Sequence, residues 1–247
     1  MLFVAHRGES LEAPENTLSA FSLAYERNCP CIECDIRMTS DGEIVCMHDE
    51  STLRTTGIDF KVGNTRYEKI WPLDAGARMD ADWRGEMVPK LSDVLNELPA
   101  DGRIYIEIKD SVNIIEPMIE VVNGASVSRW QITVIAFDKE VVSRVKKVFH
   151  GVSVLWLVGF QNVDGRISPD VDELIQTLRE LGVDGVDAQA SDLLDAGYIR
   201  KVHDAGFAFH VWTVDDHKQA EKFIGFGVDS ITSNRAAELS ALFNRKH

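Results

Sequence analysis

Glu33 and Asp35 stand two residues apart in the run Cys31-Ile32-Glu33-Cys34-Asp35-Ile36-Arg37, and Glu107 and Lys109 do the same in Ile104-Tyr105-Ile106-Glu107-Ile108-Lys109. Side chains alternate along an extended chain, so each run sends its charged residues to one face and its apolar residues to the other. Carboxylates crowded onto an apolar strand repel each other and resist leaving water, so a cation must sit against them. Glu33, Asp35 and Glu107 together make an all-oxygen set suited to one divalent cation, Mg²⁺ or Ca²⁺ with Mn²⁺ as a third option, rather than to Zn²⁺. Solvated half-exposed strands or a buried ion-pair network would account for the carboxylates alone. They do not account for His6 and His48, which each end a short apolar run. Imidazole titrates near working pH and can carry a proton either way. With Arg7 and Lys109 as fixed positive charge, these parts suit metal-assisted cleavage of a phosphodiester. One histidine would take a proton from the nucleophile and the other would give one to the leaving oxygen. Trp212 closes another apolar run and reads as core or pocket wall.

The elements that must hold these residues follow from periodicity. Apolar runs predict strands at 2–5, 31–37 with a hairpin-like extension at 44–47, 104–109, 131–136, 152–158, 183–188, 207–213 and 228–232. Asn16 predicts the cap of a helix carrying Leu18, Phe21 and Tyr25, and Ser92 the cap of a helix over 93–98. Further helices fall at 113–123, 139–149, 170–181, 194–204, 216–225 and 235–244. Strand–helix alternation over this length favours a single (β/α)8 TIM-barrel domain spanning 1–247. A doubly wound sheet is the rival, weakened because no G-x-G-x-x-G follows the first strand. Residues from about 50 to 90 keep no clean period and read as a small cap insertion after strand two, with Phe60, Tyr67, Trp71 and Trp83 packing it onto the barrel. In such a barrel, chemistry gathers at the C-terminal ends of the strands, which is where all the residues named above fall.

Composition narrows the rest. A hydrophobic content of 45% supports a sizeable core, and a net charge of −14 argues against nucleic-acid or anionic-membrane partners. The cysteines lie at 29, 31, 34 and 46, and Cys31 and Cys34, three apart on a strand, face opposite sides, which argues against a shared metal. A reducing, cytoplasmic location is expected, with no signal peptide and no membrane anchor.

The chain resembles the glycerophosphodiester phosphodiesterase family. His6-Arg7-Gly8, Pro14-Glu15-Asn16-Thr17 and Ala20-Phe21 match the family's opening, Ile32-Glu33-Cys34-Asp35 its acidic strand, and Asp41-Gly42 with His48-Asp49 its second histidine. Leu53-Arg54-Thr55-Thr56, Leu73-Asp74-Ala75-Gly76, Pro89-Lys90-Leu91, Ile106-Glu107-Ile108-Lys109, Trp212-Thr213-Val214 and Gly227-Val228-Asp229 extend the match over nearly the whole chain. The resemblance implies a TIM barrel that uses a divalent cation to hydrolyse small glycerophosphodiesters to sn-glycerol 3-phosphate and an alcohol. It implies Glu33, Asp35 and Glu107 as metal ligands, His6 and His48 as the acid–base pair, Arg7 and Lys109 on the phosphate, and Trp212 beside the glycerol. A lysophospholipase D or a non-catalytic phosphodiester-binding barrel are the alternative readings. Two departures stand out: Ala136-Phe137 where the family has Ser-Phe, and Asp229-Ser230-Ile231-Thr232-Ser233-Asn234 with Ala236 where it ends strand eight near Asp-Gly-x-x-Thr-Asp before a proline. Neither is expected to touch the metal or histidine positions, so they bear on substrate preference.

Overall fold

A computed structural model describes residues 1–163 and 165–244. Strands β1 (Leu2–His6), β2 (Cys31–Met38), β4 (Arg103–Ile108), β5 (Ile132–Ala136), β6 (Ser153–Val158), β9 (Gly185–Gln189), β10 (Ala208–Trp212) and β11 (Ser230–Ser233) pair in parallel and close on themselves through β1. This is a (β/α)8 barrel. Strand β3 (Ile44–Cys46) lies antiparallel on β2, with Ile36 opposite Cys46. The helices α1 (Leu18–Glu26), α4 (Leu91–Glu97), α5 (Ile115–Gly124), α6 (Lys139–Val148), α7 (Val171–Leu181), α8 (Ala196–Asp204), α9 (His217–Phe226) and α10 (Ala236–Asn244) connect or follow the barrel strands.

Alternation along the strands produces two cores. Ala5, Ile32, Cys34, Ile36, Ile104, Ile106 and Val134 face outward into the layer shared with the helices. Val4, Cys31, Tyr105, Ile135, Leu155 and Leu157 fill the barrel interior. Cys31 and Cys34 thus fall on opposite sides as expected, and all four cysteines are free and buried. One interior layer is polar. The Tyr105 hydroxyl lies 3.2 Å from His210 Nδ1, which lies 2.6 Å from Ser230 Oγ, and the two rings meet edge to face. Burial pulls His210 down to about 4, so it is a neutral imidazole there.

Three local expectations need correction. The cap of α1 is Thr17, whose Oγ1 accepts the Ala20 N–H at 3.2 Å, and not Asn16, which adopts φ 58. Helix α4 starts two residues earlier than Ser92 suggests, with the Asp93 carboxylate accepting the Lys90 N–H. Two short strands that the sequence reading did not expect, β7 (Gln161–Val163) and β8 (Arg166–Ser168), pair antiparallel. Between β3 and α4 the chain makes two one-turn helices, α2 (Leu53–Thr56) and α3 (Tyr67–Ile70), around a small cluster of its own: Val45, Met47, Val62, Ile70, Leu73, Ala75 and Val88. Phe60 and Tyr67 pack on that cluster, whereas Trp71 is 48% exposed. Gly8, at φ 82, packs so closely on α1 that a Cβ would come within 2.5 Å of the Ala20 backbone. That contact fixes the loop after β1, which carries Arg7.

Candidate active site

Register brings the acidic residues together. His6 pairs with Glu33 across β1 and β2, and Asp35 pairs with Glu107 across β2 and β4. One oxygen from each of Glu33, Asp35 and Glu107 lies within 4.8 Å of the others, and all three side chains are buried. Asn16 clamps Asp35 from both sides: its Nδ2 donates to Asp35 Oδ2 at 2.8 Å and its Oδ1 accepts the Asp35 N–H at 3.0 Å. The Arg7 N–H donates to Glu33 Oε2 at 2.9 Å, and Arg7 Nε stands 3.0 Å from Asp35 Oδ2. Lys109 Nζ lies 2.7 Å from Glu107 Oε1 and 3.4 Å from Asp35 Oδ1.

Even so, Glu33 Oε1 and Asp35 Oδ1 are buried without a hydrogen-bond donor. Buried carboxylate oxygens without a hydrogen bond are costly, and a hard cation is what a cluster of three carboxylates suits. The site therefore fits a divalent ion. Protonation states agree with a site short of positive charge. Burial, then the charges of Asp35 and Glu107, hold Glu33 well above the usual carboxylate range. Burial and Asp35 push Glu107 up to about 7 against the pull of Lys109. Burial pushes Asp35 up as well, but Arg7, Lys109 and His48 with the Asn16 hydrogen bond together hold it below its ordinary value.

The two histidines are held by different devices. His6 Nδ1 meets Asn234 Oδ1 at 2.7 Å, and Asn234 Nδ2 donates in turn to Asp215 Oδ2 at 2.7 Å. Ser10 Oγ also donates to Asn234 Oδ1, at 3.0 Å. An amide oxygen can only accept, so it fixes the Nδ1–H tautomer and leaves Nε2 free. Burial and then Arg7 pull His6 below its ordinary value, keeping it neutral and able to accept a proton. His48 Nδ1 lies 2.6 Å from Asp49 Oδ1, while Arg54 spans Asp49 and Glu15 with contacts of 2.6 Å to each. Glu15 also accepts from Arg7 at 3.0 Å, tying His48 to the loop after β1. Arg37 donates twice to the His48 carbonyl, at 3.0 and 2.8 Å.

These groups open on a cavity of about 340 Å³ whose one wall carries His6, Arg7, Glu33, His48, Glu107 and Lys109 and whose other carries Ile135, Phe137, Leu157 and Trp212. Asp35 is fully buried behind the lining. Trp212 is edge to face with Phe137, and its Nε1 donates to the Asp187 carbonyl at 3.1 Å. All eight residues singled out from the sequence thus converge here. Asn16, Ser10, Asp49, Arg54, Asp215 and Asn234 escaped notice as site residues. Pro14-Glu15-Asn16-Thr17 and Leu53-Arg54 marked some of them as motif, whereas the approach of Asn234 to His6 across 228 residues left no sequence signal. The expectation that neither family departure touches a histidine is wrong: Asn234 is the direct partner of His6. Ala136 behaves otherwise, since its methyl is buried in the outer core away from the cavity.

The profile of the glycerophosphoryl diester phosphodiesterase family matches residues 6–238. The chain belongs to that family. Glycerophosphodiester phosphodiesterase activity goes with the membership. Among relatives, the Bacillus subtilis protein YhdW is 30% identical over 95% of this chain and 94% of its own. A glycerophosphodiester phosphodiesterase of Caldanaerobacter subterraneus is 39% identical over 48% of this chain and 49% of its own. In three dimensions, an Oleispira antarctica phosphodiesterase solved with the product sn-glycerol-3-phosphate superimposes with a TM-score of 0.88, at 22% identity, over 99% of this chain and 97% of that one. That likeness bears on the fold.

Proposed function

We propose that this phosphodiesterase hydrolyses small glycerophosphodiesters to sn-glycerol 3-phosphate and an alcohol, with Glu33, Asp35 and Glu107 holding one divalent cation and His6 and His48 moving the protons. The observation that carries the reading is the cluster of three buried carboxylates, in which Glu33 Oε1 and Asp35 Oδ1 accept no hydrogen bond, beside two histidines each held at Nδ1. Mg²⁺, Ca²⁺ or Mn²⁺ bound there supplies a fixed positive charge for the phosphoryl oxygens. Arg7 and Lys109, engaged with carboxylates in the absence of substrate, lie along the same cavity wall and add charge to the phosphate. His6 is the base: a neutral ring with a free Nε2 accepts the proton of the substrate's glycerol 2-hydroxyl as that oxygen attacks phosphorus, and the cyclic phosphodiester left when the alcohol departs is then opened by water to sn-glycerol 3-phosphate. His48, oriented by Asp49 against its Nδ1, is the acid that protonates the leaving alcohol. Trp212 offers a flat apolar wall to the carbon side of the glycerol.

The whole chain acts as one domain in this reading, with residues 50–90 as a cap whose Arg54 reaches the network around His48. Among the described residues no helix is long and apolar enough to cross a membrane, and four free thiols favour a reducing, cytoplasmic setting. Soluble diesters are favoured over lysophospholipids because an acyl chain needs about 0.8 kcal/mol of shelter per CH₂, and the polar 50–90 segment offers no continuous apolar face. Glycerophosphocholine and glycerophosphoethanolamine should be turned over with Mg²⁺, Ca²⁺ or Mn²⁺ and not in excess chelator. Full turnover in chelator by protein free of metal would remove the cation from the reading. A higher kcat/KM for monomeric lysophosphatidylcholine than for glycerophosphocholine would reverse the substrate class.

A further inference from the structure

Two polar side chains that line the cavity have no part in the chemistry described so far. Asp187, in the middle of β9, is 1% exposed, and its Oδ1 is buried with no hydrogen-bond partner. Thr232, near the end of β11, is 2% exposed, and its Oγ1 is likewise without a partner. Both line the cavity together with Glu107, Trp212, Ile135 and Leu157, and the Trp212 Nε1 donates to the Asp187 carbonyl. Asp187 is not a fourth member of the acidic cluster, which among the described residues comprises Glu33, Asp35 and Glu107. Nor is an arginine, lysine or histidine paired with it among the described residues. A buried carboxyl and a buried hydroxyl left bare in an apolar pocket cost stability, so a site that keeps both has an occupant that satisfies them.

We propose that Asp187 and Thr232 form a hydroxyl-binding subsite that takes the terminal hydroxyl of the substrate's glycerol moiety, the one that carries neither the phosphate nor the attacking oxygen. The inference rests on the glycerophosphodiester reading above and makes it more specific. The ligand class is a polyol phosphodiester in which this oxygen is free. A hydroxyl both donates and accepts, and so can meet a carboxyl oxygen and a threonine oxygen at once. Burial, with a smaller contribution from Glu107, holds the Asp187 carboxyl well above the usual carboxylate range, which suits a neutral group facing a neutral hydroxyl. Acylation of the same oxygen removes the donor and adds bulk, so the subsite would reject lysophospholipids by chemistry as well as by size. Pockets built to hydrogen-bond a hydroxyl discriminate strongly against analogues lacking it, because the buried protein groups are left unpaired.

The test compares glycerophosphocholine with its 1-deoxy analogue, the phosphocholine diester of propane-1,2-diol. The analogue keeps the phosphate and the attacking hydroxyl. Wild type should favour glycerophosphocholine in kcat/KM by roughly 10²-fold or more. Asp187→Leu should bring the two substrates within about threefold of each other by losing activity on glycerophosphocholine rather than by losing metal binding or melting temperature. Asp187→Asn, which keeps the size and an acceptor, should retain most of the preference and covers the case in which the leucine variant fails to fold. Equal use of both substrates by wild type, or an undiminished preference in a folded Asp187→Leu variant, would overturn the subsite and leave the proposed reaction standing. Inactivity of wild type on every glycerophosphodiester with every metal would overturn that reaction, and the subsite with it.

Discussion

The barrel interior holds two buried polar clusters, one layer apart. Tyr105 lies two residues before Glu107 on β4, and His210 two before Trp212 on β10. The lower cluster, Tyr105–His210–Ser230, is neutral and closed on itself through hydrogen bonds. The upper cluster gathers three carboxylates, an arginine and a lysine, and still leaves two oxygens without a donor. Both are buried inside the one barrel and share β4, so burial alone does not explain the difference. A polar layer kept for structure satisfies itself, whereas one kept for a ligand stays short of partners until the ligand arrives.

The sharpest way to break this contrast is to exchange the roles of the histidines. His6→Ala and His48→Ala should each lower kcat by roughly 10²–10⁴-fold, and the double variant by far less than the product, because the pair works as a unit. His210→Ala should leave kcat at 25 °C within a few-fold while lowering stability by about 2–4 kcal/mol in urea unfolding, through lost packing and an orphaned Ser230. A large kcat loss in His210→Ala, or near wild-type rates in either of the other two, would erase the distinction.

The clusters should also answer pH in opposite senses. His210 titrates at about 4 in the folded chain and near 6.5 when unfolded, so the unfolded state binds the proton better between those values. Its contribution is complete above about 6.5 and is lost as pH falls toward 4, amounting to about 3 kcal/mol. Glu107 titrates at about 7 when folded, above its ordinary value of 4.5. Without metal its contribution is present below 4.5 and is lost as pH rises through 7, by a similar amount. In chelator, Glu107→Gln should therefore be more stable than wild type at pH 7.5 and gain little at pH 4.5. Unfolding curves of the two proteins at the two pH values check the sign.

Two smaller effects concern the cation. Saturating Mg²⁺ or Ca²⁺ at about 100 times its dissociation constant should add about 2.7 kcal/mol, a rise of roughly 5–10 °C in melting temperature. Glu33→Gln should lose most of that rise. Ion affinity should weaken by up to about tenfold per pH unit below 7, because binding must displace the Glu107 proton. Calorimetry in two buffers of different ionisation enthalpy would reveal the released proton.

The sequence made much of this legible, for a physical reason. Period-two alternation in 31–37 and 104–109 names the face that carries Glu33, Asp35 and Glu107, and alternation of strands with helices names the barrel. Local rules misread Asn16, because capping and the left-handed conformation both favour asparagine, and the structure uses the second. The pairing of β7 with β8 has little sequence signature, since Gln161–Val163 and Arg166–Ser168 are each only three residues long. Asn234 and Asp187 could not be read at all. Their meaning lies in what the closed barrel sets opposite them.

Closure of the barrel also sets the order in which this molecule becomes an enzyme. The loop after β1 is stitched by the last strand and helix: the Leu11 N–H donates to the Asn234 carbonyl at 3.2 Å, and the Ala237 N–H donates to Glu9 Oε1 at 2.8 Å. Both carboxylate strands and both histidines leave the ribosome within the first 108 residues, but the partner of His6 arrives more than a hundred residues later. Until β11 docks, β1 lacks one of its two neighbours and the early strands form an open sheet with an unpaired edge. The nascent chain should therefore acquire its acidic cluster first and its oriented base last. Hydrolysis would then begin at the moment the edge disappears, so that turnover itself reports that folding is complete.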